Sequence, residues 1–122
     1  MEKNTEVMQQ SKELLQTVNE ALQHIQNLLK EGKFESTITL FGDVVQAYSA
    51  VEGAVDHLPD ELLSVENREL TTEVRNAIEL IVSAYESKDY GKVQEVLQLS
   101  LIPRFSKWQE DLESVFEQYL VS

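Results

Sequence analysis

The feature that most restricts the fold lies between Thr5 and Glu31. There Val7, Met8, Ser11, Leu14, Leu15, Val18, Ala21, Leu22, Ile25, Leu28 and Leu29 fall on one helical face, with Gln, Asn, Glu and Lys between them. A helix of about 27 residues spans roughly 40 Å, and an apolar stripe of that length cannot stay in water. It needs partners of similar length, and the rest of the chain supplies three.

Gly32 suits the left-handed position after the first helix, with Lys30 set against the negative end of its dipole. A second helix is predicted from Phe34 or Glu35 to His57, its inner face formed by Phe34, Ile38, Phe41, Val44, Val45, Tyr48, Val51 and Val55. Tyr48 is expected near the edge of that face, where its hydroxyl can find a partner. An extended reading of 38–45 is disfavoured, because the spacing is three and four and no other strand candidate exists. Pro59, followed by Asp60 and Glu61, predicts one turn of helix or 3₁₀. A third helix follows from about Glu66 to Ser87, burying Leu70, Val74, Ala77, Ile78, Ile81, Ala84 and Tyr85. Asp89 is placed to cap a fourth, which carries Val93, Val96, Leu97, Leu101, Phe105, Trp108, Leu112, Val115 or Phe116, and Tyr119 along one side. Pro103 interrupts it at a cost of about 3 kcal/mol, yet the apolar spacing continues past it, so a kinked but continuous helix is predicted, the alternative being a break near Leu101 with a separate C-terminal helix.

Sliding the chain by 56 residues matches Glu13, Leu14, Val18, Ala21 and Ile25 to Glu69, Leu70, Val74, Ala77 and Ile81 as identities, and sets Phe34 on Tyr90 and Phe41 on Leu97. This faint repeat predicts two similar αα-hairpins. The expected fold is all-α: an antiparallel up-down four-helix bundle made of two αα-hairpins, forming a single domain over residues 1–122, with the last helix kinked at Pro103.

Composition narrows the function classes. Without cysteine there are no disulfides, thiolate nucleophiles or cysteine-ligated metal sites. No apolar run approaches the roughly 20 residues of a membrane span, and the first residues lack a signal-peptide pattern, so a reducing cytoplasm is the expected location. The net charge of −12 repels nucleic acid and anionic lipid and attracts a basic partner. Its distribution is uneven. Between Phe34 and Asn67 stand seven acids and no Lys or Arg, and after Lys107 four more acids, again without a base. Such runs more often keep a helix face solvated than form a docking patch.

Chemical motifs are few. A di-iron bundle needs Glu-x-x-His sets, and none occurs. His24 lies off the apolar stripe, and His57 sits at a helix end, where it suits the dipole. The chain resembles phosphotransfer histidine domains in size and acidity. It departs from their motif, because His24 is followed by Ile25-Gln26-Asn27-Leu28 and His57 by Leu58-Pro59-Asp60-Glu61. Chorismate-mutase-like enzymes need several inward bases, and the arginines, Arg68, Arg75 and Arg104, stand on no predicted core face. No phosphate-cradling glycine loop, Gly-x-Ser-x-Gly elbow or His-Glu-x-x-His is present. No catalytic, cofactor-binding or metal-binding residue is assigned.

The last stretch is richer in aromatic and aliphatic residues than one stripe requires. Packing into the core or over its end is the first reading of this surplus; on the second, Phe105, Trp108, Leu112, Phe116, Tyr119 and Leu120 are the candidate partner-binding residues, because the end of a helix of about 30 residues would project past partners of roughly 22. With its Gly-Lys-Phe and Lys-Asp-Tyr turns between long helices and its Leu-Ile-Pro-x-Phe-x-x-Trp stretch, the chain resembles small acidic bacterial helical-bundle proteins. It also looks like flagellar and secretion export chaperones in size, charge and helix layout. The functional expectation is a non-enzymatic protein-protein interaction module: an adaptor, regulator or chaperone that binds itself or a protein partner, such as a basic or amphipathic helix. The alternative is a phosphotransfer or small-molecule enzyme on the same scaffold.

Overall fold

The computed structural model describes residues 2–121, with side chains described for 5–59 and 61–118. Four long helical segments account for nearly all of it, and no strand occurs among the described residues. They are α1 (Glu2–Lys30), α2 (Phe34–Asp56), α3 (Val65–Glu86) and α4 (90–121). Within α4, an α-helical section Tyr90–Val96 passes through a π turn, Leu97–Leu101, into a second α-helical section, Ile102–Val121. A single 3₁₀ turn, Asp60–Leu62, follows Pro59 between α2 and α3. Among the described residues, no helix is long and apolar enough to cross a membrane.

The stripe on α1 is buried from Met8 through Leu15, Val18, Leu22 and Ile25 to Leu29, while Val7 at its start remains 41% exposed. α1 packs along α2 and against the last section of α4, which also packs on α3. On α2 the inner face turns slightly from the predicted one. Ile38 is 45% exposed, and Thr37 is buried in its place. The reason is polar. The Thr37 hydroxyl donates to Phe34 O at 2.6 Å, so the Tyr85 hydroxyl, 2.7 Å away, donates to it in turn and both buried groups are satisfied. Isoleucine could offer Tyr85 no partner.

The two short turns are copies of one another. Gly32 N–H reaches Leu29 O and Lys33 N–H reaches Leu28 O; 56 residues on, Lys88 N–H reaches Tyr85 O and Asp89 N–H reaches Ala84 O. Both are Schellman closures, and the residues at their left-handed positions are Gly32 (φ 79°) and Lys88 (φ 58°). Phe34 and Tyr90, one step past each turn, stack with centroids 4.9 Å apart and planes 3° apart. The repeat anticipated from faint identities is thus present in the backbone. Asp89 caps α4 by accepting from Lys92 N–H at 3.2 Å, as predicted, and Ser64, not anticipated, caps α3 by accepting from Asn67 N–H at 3.0 Å.

The π turn explains how apolar spacing survives Pro103. Before it, buried positions in the two halves match at an offset of 56, as Phe41 does with Leu97. After it they match at 57: Val44 with Leu101, Tyr48 with Phe105, Val51 with Trp108, Val55 with Leu112. One extra residue has been absorbed where Ile102 N–H bonds Leu97 O, five residues back. The wide turn also shifts the hydrogen-bond register just ahead of Pro103, placing the proline in the first turn of the following α section, where its missing N–H matters least.

The paired turns differ in one respect that can be measured. Lysine pays a steric penalty in the left-handed conformation that glycine does not. Lys88→Gly is expected to raise stability by up to about 1 kcal/mol and Gly32→Ala to lower it by about 1 kcal/mol. Midpoints of urea unfolding would show these shifts.

Candidate functional site

Four of the six residues singled out at the C-terminal end serve the interior. Phe105, Trp108, Leu112 and Phe116 are each at most 1% exposed and belong to the same apolar cluster as the α1 stripe. The expectation that the end of α4 projects uncovered is corrected for these residues, because it measured α4 against α2 and α3 alone. α1, with 29 residues, lies beside the end of α4, and Lys12 approaches Glu117 there at 3.9 Å. These four side chains offer no surface to a partner in this fold. The side chains of Tyr119 and Leu120 lie outside the described residues.

Trp108 instead anchors a polar chain that crosses the core. Its indole Nε1–H donates to Thr71 Oγ1 at 2.8 Å, and Thr71 Oγ1 donates to Asn67 O at 2.9 Å. The rings of Tyr48 and Trp108 lie 5.3 Å apart, and the Tyr48 hydroxyl donates to Thr71 O at 3.3 Å. Asn67, fully buried, donates its side-chain amide to Asp111 Oδ2. Its Oδ1 is the one buried side-chain polar atom without a hydrogen-bond partner among the described residues. Three helices are thereby locked in register by groups whose misplacement would leave buried polar atoms unpaired. Tyr48 was expected at the edge of its face; it is 5% exposed, and Thr71 O supplies the acceptor that lets it go deeper. The chain was missed in the sequence, although one signal existed. Continuing the α3 stripe back from Val74 by threes and fours reaches Thr71 or Leu70, then Asn67.

Beside this chain Arg75 holds Glu52 through two hydrogen bonds, one of them Nε to Oε2 at 3.2 Å. Burial works against the Glu52 carboxylate, but the hydrogen bonds from Arg75, together with the nearby Tyr48 hydroxyl, outweigh it and hold its pKa below the ordinary value. Burial, followed by the neighbouring Glu52, pushes the Tyr48 phenol up, so it remains a donor throughout the neutral range. Burial raises Tyr85 as well, against its hydrogen bond with Thr37.

Two recesses open at the surface near the α2–α3 connection. The larger, about 380 Å³ and mostly apolar, lies between Val7 and Met8 of α1 and Ala50, Gly53 and Ala54 of α2, closed at one end by Leu58. His57 borders it, its Nδ1 2.7 Å from Gly53 O. The other, about 220 Å³, shares Leu58 and is lined by Asp56, Asn67, Arg68, Thr72 and Arg75. His24 and His57 are exposed, as are Arg68 and Arg75, and no group of three or more metal-ligating side chains is brought together among the described residues.

Fold and site together define a protein that is all-helical over the described residues and whose aromatic residues are spent mainly on its core. The chain belongs to the family DUF8042, described as a domain of unknown function, whose model matches residues 6–111. No curated protein and no solved structure matches the chain.

Trp108→Phe removes the indole donor from Thr71 and is expected to cost about 2–3 kcal/mol. Combined with Thr71→Val in a double-mutant cycle of chemical unfolding, it should show a coupling of about 1 kcal/mol. Because the Glu52 pKa is depressed on folding, its ion pair stabilises the protein above the unfolded-state value near 4.3 and loses that contribution as pH falls through the folded value. Arg75 is half exposed, so Glu52→Gln should cost under about 1 kcal/mol at pH 7, and the difference from wild type should shrink in unfolding curves recorded at successively lower pH below the unfolded-state value.

Proposed function

We propose that the chain is a non-enzymatic protein-interaction module, an adaptor, regulator or chaperone-like protein of the cytoplasm that binds a basic protein partner. One observation carries this reading: the segment from 34 to 67 holds seven acids and no Lys or Arg, in a chain of net charge −12. Five of those acids, Glu35, Asp43, Asp56, Glu61 and Glu66, are exposed, and Glu52 is taken up by Arg75. A field of one sign steers an oppositely charged partner and raises its association rate. The polar groups that converge elsewhere, on Trp108 and Thr71, are turned towards one another. The same reading takes the helices as an antiparallel up-down bundle of two αα-hairpins, with α4 bent at Pro103. In its support, contacts between α3 and α4 run in opposite senses, Asn67 to Asp111, Thr71 to Trp108 and Glu73 to Arg104. The start of α1 likewise meets the end of α2.

The test is affinity capture from the native host at two salt concentrations, with light scattering on the chain alone. A partner retained at low salt, released near 0.5 M, and lost with the double variant Asp43→Lys, Asp56→Lys is the expected result. A chain that stays monomeric and retains nothing at either salt concentration overturns the reading.

A further inference from the structure

The apolar recess between α1 and α2 has a composition that its own chain does not account for. A Cβ added at Gly53 would meet nothing within 4 Å, so this glycine serves no close internal contact, and its φ does not require one. Glycine inside a helix nevertheless costs about 1 kcal/mol relative to alanine. Ala50, about one turn before it, and Ala54, next to it, are short as well, and across from them Val7 is 41% exposed. The result is an open space of about 380 Å³ walled by aliphatic groups. A dry cavity of about 150 Å³ takes a benzene ring, so this one has room for two groups of that size.

We propose that this recess seats aliphatic side chains of a basic amphipathic helix contributed by another protein. The proposal deepens the reading of the chain as a protein-binding module and rests on it. Charge selects the occupant. α2 and the connection after it carry no Lys or Arg, and the chain neighbours of two lining residues, Glu6 beside Val7 and Asp56 beside His57, are exposed acids. A second copy of this chain would bring another −12 to the same place, whereas a cationic helix would place its charges against these acids and its apolar face between α1 and α2. A groove between two helices that admits aliphatic anchors at helical spacing is a known way of holding such a segment.

The experiment uses the full chain and a synthetic helical peptide with leucine at three- and four-residue spacing and lysine elsewhere. Two matched peptides serve as controls, one with glutamate for lysine and one with alanine for leucine. Binding is read by fluorescence anisotropy and mapped by amide chemical shifts. The leucine–lysine peptide is expected to bind, to shift Met8, Gly53 and Ala54, and to weaken as salt rises, while neither control binds. Gly53→Leu and, separately, Ala54→Leu fill the recess and are each expected to weaken binding at least tenfold without lowering the melting temperature. Binding that maps elsewhere, or that both folded variants leave unchanged, overturns this site while leaving the protein-binding reading in place. Failure of the leucine–lysine peptide to bind overturns the proposal. So does self-association of the chain that either filling variant abolishes, because the occupant is then a second copy.

Discussion

The continuous apolar stripe of α1 is the constraint on which the rest of the structure depends. From Met8 to Leu29 it presents buried residues at every turn, and no isolated helix holds such a surface in water. α2 covers it along its length and the last section of α4 lies beside it, while α3 packs on α4. Covering a helix of 29 residues takes partners of matching length, which is why α4 is buried as far along as Phe116. The large aromatics there are consumed by this requirement.

A core made only of aliphatic seams would allow helices to slide by a turn with little loss, because each seam repeats. The polar chain through Tyr48, Trp108, Thr71, Asn67 and Asp111 counters that. A slip of one turn on any of the three helices would strand an indole N–H, a phenol or an amide in the interior, at roughly 1–3 kcal/mol each. Thr37 and Tyr85 play the same part near the opposite end. The aromatic rings add geometry: Phe34 on Tyr90 holds the two turns together, and Tyr85 touches both Phe41 and Tyr90. The outer surface carries most of the charge and is left to solvent and, on the reading proposed above, to a basic partner.

Much of this was legible residue by residue. The helices, the 3₁₀ turn after Pro59, the Asp89 cap and the paired turns follow from periodicity and from local chemistry acting over four or five residues. Local chemistry did not reveal the π turn. One inserted residue changes nothing in composition, and it becomes visible only when buried positions on either side are matched against the first half. Nor did it reveal that Thr37 is preferred to Ile38 inside, because hydropathy favours the isoleucine and only the facing Tyr85 hydroxyl reverses the choice. The candidate site was read least well. Large aromatics look alike in a sequence whether they anchor a partner or fill a core, and the difference is set by what lies opposite.

The sequence by itself determined the all-helical class, the helix limits within a residue or two except at the start of α1, which lies three residues before Thr5, and the two matching turns, since these arise from the spacing of apolar residues and from backbone preferences within single turns. The tertiary structure alone decided which faces stay uncovered. It buried Phe105, Trp108, Leu112 and Phe116, joined polar groups as far apart as Tyr48 and Asp111 through one hydrogen-bonded chain, and left an apolar recess beside Gly53. Those outcomes depend on distances between residues far apart in the chain, and the interaction energy of two side chains exists only once the fold has placed them in contact.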